Sequence, residues 1–207
     1  NVILLEDNCE GIGGYFKKEN KKLGSYGLMS CVSFYFGHCC STIESGCIFT
    51  DDYELSNILR CIRSHGWDRE ADEEFSKELR NKYNIEDFKS LFTFYYPGYN
   101  VRPTDLQAFI GLCQLLKVDK FVQERNYNFN LYKIMLSDNL WKPILPKDFI
   151  ISNHAYPLIV SNREEIVKKL MENNIETRPL ICGSIAYQPF WNEYNKQNIK
   201  FMYKNAE

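Results

Sequence analysis

At 207 residues the chain is long enough for one large domain, or one domain and part of a second, with ample length to bury a core. Hydrophobic residues make up 44% and aromatics 15%, while a net charge of −2 gives no electrostatic case for nucleic acid or an anionic membrane. No run of about eighteen apolar residues occurs, so no transmembrane helix is expected, and no signal-peptide pattern opens the chain.

The 8 cysteines are scattered through apolar runs. Cys39-Cys40 is the one close pair, and it has no second pair at zinc-site spacing. Buried, reduced thiols of a cytoplasmic protein and no metal site are expected. The chain starts at Asn1 directly before an apolar run and stops in a polar stretch at Glu207. It reads as a fragment lacking both ends.

In chain order, Val2 to Leu5 predicts a strand buried on both faces of a parallel sheet. Glu6-Asp7 follows at its carboxyl end, where α/β folds place ligands, although an aspartate there also suits a helix cap. Lys17 to Lys22 reads as a charged, solvated turn, and Gly24-Ser25-Tyr26-Gly27 leads into a strand over Cys31–Phe36. Between that strand and the next, Cys47–Thr50, lies a loop carrying His38, two thiols, hydroxyls and Glu44. Reactive groups on a loop held by two strands are how α/β enzymes build sites, and such a loop can also be an ordinary solvated turn.

Asp51-Asp52 predicts the start of a helix running to Ser64, with Leu55, Ile58, Leu59 and Ile62 at helical spacing. His65 follows, either a second acid–base group or a polar helix end. Residues 68 to 92 are charge-rich and predict an exposed helix or an insertion, before an aromatic loop over 92–102. Thr104 with Gln107 predicts a capping box, opening a helix whose apolar face (Leu106, Phe109, Ile110, Cys113) is too rich for a free surface. A long amphipathic helix is expected over 119–140, a strand over 154–160, a helix ending near Asn173 with Asn174 as left-handed stop, and a strand over 175–181. The tail of the sequence thus predicts a small α+β domain.

Two of these stretches carry a resemblance. Ser33-Phe34-x-x-x-His38 with Thr42-x-Glu44-x-Gly46, and Gly98-Tyr99-Asn100-Val101-Arg102 ahead of the capping box, resemble the cofactor loops of the DegT/StrS-type sugar aminotransferases. The acidic pair Glu6-Asp7 resembles the family's segment after the same strand. The resemblance implies an α/β chain of the aspartate-aminotransferase-like fold type I of PLP-dependent transferases. Residues 1–125 would be the end of the large cofactor-binding domain, and 126–207 most of the small α+β domain.

It also implies roles. Asp7 would pair with the protonated pyridine nitrogen of pyridoxal or pyridoxamine phosphate, and Glu10 would lie near the ring hydroxyl. Ser33 would bind the cofactor phosphate, with Asn100 and Arg102 reaching the phosphate of a neighbouring chain, so a homodimer with shared sites is implied. Arg178 and Gln188 match the sugar-side segment. The position five residues after Ser33 is usually the Schiff-base lysine; here it is His38, and no lysine occurs between Lys22 and Lys77.

That histidine is similar to the branch of pyridoxamine-phosphate-dependent 4-keto-6-deoxysugar 3-dehydratases, which act on nucleotide-linked sugars in lipopolysaccharide or O-antigen biosynthesis. Histidine suits a catalytic base because its charge change ordinarily falls near neutral pH. His65 is a second catalytic candidate. Three functions compete: such a dehydratase, a PLP-dependent sugar aminotransferase, and a non-catalytic sugar-nucleotide-binding relative. Cys39-Cys40 and Ser45 depart from the family's loop and keep the third open. The piece alone is expected to be inactive.

Overall fold

The computed structural model describes residues 2–136, 138–181 and 183–194. The chain divides into two compact units, 1–158 and 159–207. In the first, β1 (Leu5–Asp7) pairs in parallel with β4 (Met29–Ser33), and β4 pairs antiparallel with β5 (Gly46–Phe49). A second small sheet joins β2 (Tyr15–Phe16), β3 (Lys21–Lys22) and β6 (Phe149–Ile150), all antiparallel. The charged turn over 17–22 is therefore the tip of a short hairpin.

Helix α1 (Tyr53–Arg63) begins where expected, with the Asp52 carboxylate accepting the Leu55 N–H at 2.8 Å. Charge-rich residues 68–92 depart from expectation. They form α2 (Glu73–Tyr83) and the single turn α3 (Asp87–Ser90), and α2 is no free-standing exposed helix. Its Phe75 and Leu79 pack on Cys61 of α1 in the apolar cluster of this region, flanked by Ile58, Ala71, Tyr95 and Tyr96. Two apolar anchors four residues apart are enough to bury one stripe of a helix whose other faces stay charged. The fully buried Asp68 holds Arg80 at 2.8 Å across the base of this helix.

Helix α4 (Asp105–Met135) is one continuous helix of 31 residues, ending at Met135 where the sequence pattern carried it on to Leu140. Its start is the predicted capping box: the Thr104 hydroxyl accepts from the Gln107 N–H, and the Gln107 side chain accepts the Thr104 N–H at 2.8 Å. Val122 is buried against Gly13, where φ is +85° and a Cβ would collide with the valine. The expected domain boundary at 125/126 lies within this helix.

Three expectations are corrected. Val2 to Leu4 is exposed rather than buried on both faces, because no described element lies over it, and the strand itself starts at Leu5. Neither 154–160 nor 175–181 forms a strand. Each contains a proline, which donates no ladder hydrogen bond, and no described strand lies alongside. The second unit has α5 (Arg163–Glu172), closed by Asn174 at φ 57°, then a 3₁₀ turn over Ile185–Tyr187 and α6 (Pro189–Tyr194). Among the described residues no helix is long and apolar enough to cross a membrane.

Truncating Phe75 removes the largest side chain of the α1–α2 cluster. Phe75→Ala should lower unfolding free energy by about 3 kcal/mol, seen as a lower urea midpoint at unchanged slope. A loss under about 1 kcal/mol would mean that this cluster does not hold α2 in place.

Candidate functional site

The site is built from the carboxyl end of β1 and the β4–β5 loop. Glu6, the first acid of the pair, turns inward: its carboxylate accepts the N–H groups of Gly24, Tyr26 and Gly27 at 2.7, 2.6 and 2.6 Å. Burial works to raise its pKa, and these three bonds outweigh it and hold the carboxyl below its ordinary value. Asp7 faces outward and exposed, accepting the Cys9 N–H at 3.1 Å and the Cys31 thiol at 3.6 Å. The Cys9 thiol and N–H hold its carboxyl below the ordinary carboxylate range.

After Ser33 the chain leaves β4 in a tight loop. The Ser33 hydroxyl accepts the Tyr35 N–H at 3.2 Å, and the His38 N–H reaches the Tyr35 carbonyl at 3.0 Å. Thr42 donates its N–H to Phe34 at 2.9 Å, and its hydroxyl bonds that of Ser45, so the serine at the usual glycine position has a structural partner. His38 is thereby fixed with Nε2 3.8 Å from the Glu10 carboxylate and its ring edge-on to Tyr35 and His154. Its Nδ1 is buried and has no hydrogen-bond partner among the described residues. Beside it opens a cavity of about 250 Å³ lined by His38, Cys39, Phe121, Glu124, Arg125 and Asn128. Helix α4 thus supplies a wall of the site, as its Gln107 side chain, donating to the Glu44 carbonyl, also shows.

A second group forms around the end of α1. His65 sits at φ 63°, donates its N–H to the Tyr99 carbonyl at 2.7 Å and lays its ring against Trp67. Asn100 bridges to Ser64, and the Val101 N–H reaches the Arg63 carbonyl at 3.1 Å. The loop holding Arg102 is therefore stitched to the helix end. Arg102 lies 3.7 Å from Glu70 and 5.7 Å from the Trp67 ring centre. Glu70 also accepts from Ser64 at 3.0 Å and pairs with Arg63. Burial alone would raise its pKa, but the bonds from Arg63 and Ser64 and the nearby arginine charges bring it below its ordinary 4.5.

Of the residues singled out from sequence, Glu10 and His38 come together, with Ser33 at the root of the same loop, while Asp7 lies at the end of β1 against Cys9 and Cys31. His65, Asn100 and Arg102 meet at the second group. Arg178 is exposed and Gln188 half-buried, both in the second unit; Cys182 lies outside the described residues. Sequence reasoning missed His154, Arg125, Glu70 and Cys31. His154, Arg125 and Cys31 reach their groups from distant parts of the chain, and Glu70 is brought to Arg63, Ser64 and Arg102 by the turn after α1.

A family profile, that of the DegT/DnrJ/EryC1/StrS aminotransferase family, matches residues 1–207. The chain belongs to this family. It is 37% identical over 206 residues to GDP-4-keto-6-deoxy-D-mannose 3-dehydratase of Yersinia pseudotuberculosis, covering 97% of this chain and 50% of the relative. The Escherichia coli protein of the same name is 32% identical over 218 residues, covering 100% of this chain and 55% of that one. The E. coli dehydratase solved with bound hydrated PLP superposes at a TM-score of 0.74 with 32% identity, over 93% of this chain and 50% of the other. The fold is that of PLP-dependent type I enzymes. The chain spans about half the length of the curated relatives it matches.

Glu70 gives this region a defined acid response. Its carboxyl titrates below 4.5 when folded, so its contribution is present above that value and drains away as pH falls through the lowered one. Glu70→Gln should therefore destabilise near neutral pH and lose less further stability on acidification to ~pH 3 than the parent. Parallel urea curves at both pH values would show that the pairing contributes nothing.

Proposed function

We propose that the protein containing this chain is a pyridoxamine-phosphate-dependent 3-dehydratase of a nucleotide-linked 4-keto-6-deoxysugar. It would serve deoxysugar biosynthesis of the lipopolysaccharide type, in the cytoplasm, as a homodimer with shared sites. The observation that carries this is His38, fixed on the β4–β5 loop where the aminotransferases place their lysine, with no lysine between Lys22 and Lys77 to replace it. The dehydratases at 37% and 32% identity support it over nearly the whole chain.

The residues present fit the amine form of the cofactor. Asp7, exposed at a strand end with its carboxyl held charged by Cys9, is suited to a protonated ring nitrogen. When bound, the cofactor supplies an electron sink joined to the sugar's ketone carbon. His38 would be the base that removes a proton at the reacting centre and returns it; its Nε2 faces Glu10 and its Nδ1 is buried with no partner among the described residues. Loss of the hydroxyl at C3 of the sugar follows from that proton's removal. Ser33 would bind the phosphate, with the partner's Asn100–Arg102 loop closing over it, and His65 stands as a second acid–base group. Arg178 and Gln188 belong to the sugar side. The division into residues 1–125, the end of the cofactor domain, and 126–207, the small domain, is part of the same reading.

Two experiments on the full-length protein test this. Borohydride treatment followed by peptide mass spectrometry should leave no pyridoxyl group on any lysine; finding one would favour transamination instead. His38→Asn should lower 3-dehydration by ~10²–10⁴-fold while cofactor affinity barely changes, since phosphate and ring contacts come from other residues. Undiminished 3-dehydration by His38→Lys would show that His38 is not the base.

A further inference from the structure

The carboxyl end of β1 holds a set of atoms that the proposed chemistry uses only in part. Asp7, Cys9 and Cys31 bring a carboxylate oxygen and two sulfurs within 4.8 Å of one another. Cys9 Sγ stands 3.9 Å from Cys31 Sγ, and Cys31 Sγ stands 3.6 Å from Asp7 Oδ1. An ion bound tetrahedrally, with Zn–S of about 2.3 Å and Zn–O of about 2.1 Å, separates two sulfur ligands by about 3.8 Å and a sulfur from an oxygen by about 3.6 Å. The S–S and S–O separations in the structure are close to these, and the Cys9 sulfur and an Asp7 oxygen lie within 4.8 Å.

We propose that Asp7, Cys9 and Cys31 form a binding site for one thiophilic divalent cation of the zinc or cadmium class, open in the cofactor-free protein and closed by the cofactor. The backbone sets the three ligands in advance. Parallel pairing of β1 and β4 places Asp7 opposite Cys31, the Asn8 N–H bonds the Cys31 carbonyl at 2.9 Å, and the Cys9 N–H ties Asp7 back at 3.1 Å. Ligands held by paired strands need little ordering when an ion arrives.

On binding a divalent cation the two thiols give up their protons to solvent, and both thiolates and the carboxylate share one positive centre. Three protein ligands leave a fourth position for water. Asp7 is exposed, so the ion enters from solvent. Closure by the cofactor rests on the role proposed for Asp7; uptake of the cation does not.

The test uses reduced, cofactor-free full-length protein, titrated with Zn²⁺ alone against a chromophoric chelator and with Co²⁺ read by thiolate charge-transfer absorption. One equivalent per chain is expected, with Cys31→Ser weakening it by about tenfold or more and the exposed Cys113→Ser leaving it intact. Cys9→Ala serves as a second variant should Cys31→Ser fold poorly. Absence of stoichiometric uptake, or uptake unchanged in both ligand variants, overturns the cation site. Saturating pyridoxamine phosphate should block uptake. Equal zinc binding with cofactor fully bound overturns the role of Asp7 and leaves the cation site standing.

Discussion

Parallel pairing of β1 with β4 is the constraint on which the site depends. It is only three residue pairs long, Leu5 with Met29, Glu6 with Ser30 and Asp7 with Cys31. A strand's side chains alternate between faces, so this register sends Glu6 one way and Asp7 the other. Glu6 then gathers the backbone N–H groups of the 24–27 loop, which fixes the entry to β4. Asp7 is left facing out beside the sulfurs of Cys9 and Cys31. A slip of one residue would exchange the two acids and dismantle both arrangements.

From β4 the order propagates through short, local bonds. The loop between β4 and β5 is closed by the Phe34 N–H on the Ser45 carbonyl and the Thr42 N–H on the Phe34 carbonyl, both at 2.9 Å. That closure holds His38 with one nitrogen toward Glu10 and the other buried. Helix α4 completes the surroundings from the middle of the chain, meeting the loop at Gly111 and Thr42 and the 11–14 turn at Val122. Small residues at Gly13 and Gly111 are what permit that approach.

Large apolar side chains remain exposed on Val2 to Leu5 and along α4 at Leu106, Phe109, Leu112 and Leu116. The chain spans about half the length of its curated relatives. No described element lies over these faces, so the burial on both sides expected from the apolar run at Val2 to Leu5 is not seen.

Local chemistry was legible in the sequence because it acts over three or four residues. The Asp52 cap and the Thr104–Gln107 box follow from side chains bonding nearby backbone, the Asn174 stop from its tolerance of positive φ, and the two strands flanking His38 from short apolar runs. The family, and the histidine at the lysine's position, were legible in motif order alone. Partners far apart in sequence were decided by the tertiary structure: Glu6 to Gly27, Glu70 to Arg102, Cys9 to Cys31, His38 to His154. So were the strands absent at 154–160 and 175–181, and the burial of Phe75 in a segment that reads as solvated charge. In each case the deciding quantity is what another part of the chain places alongside, and no spacing along the sequence encodes it.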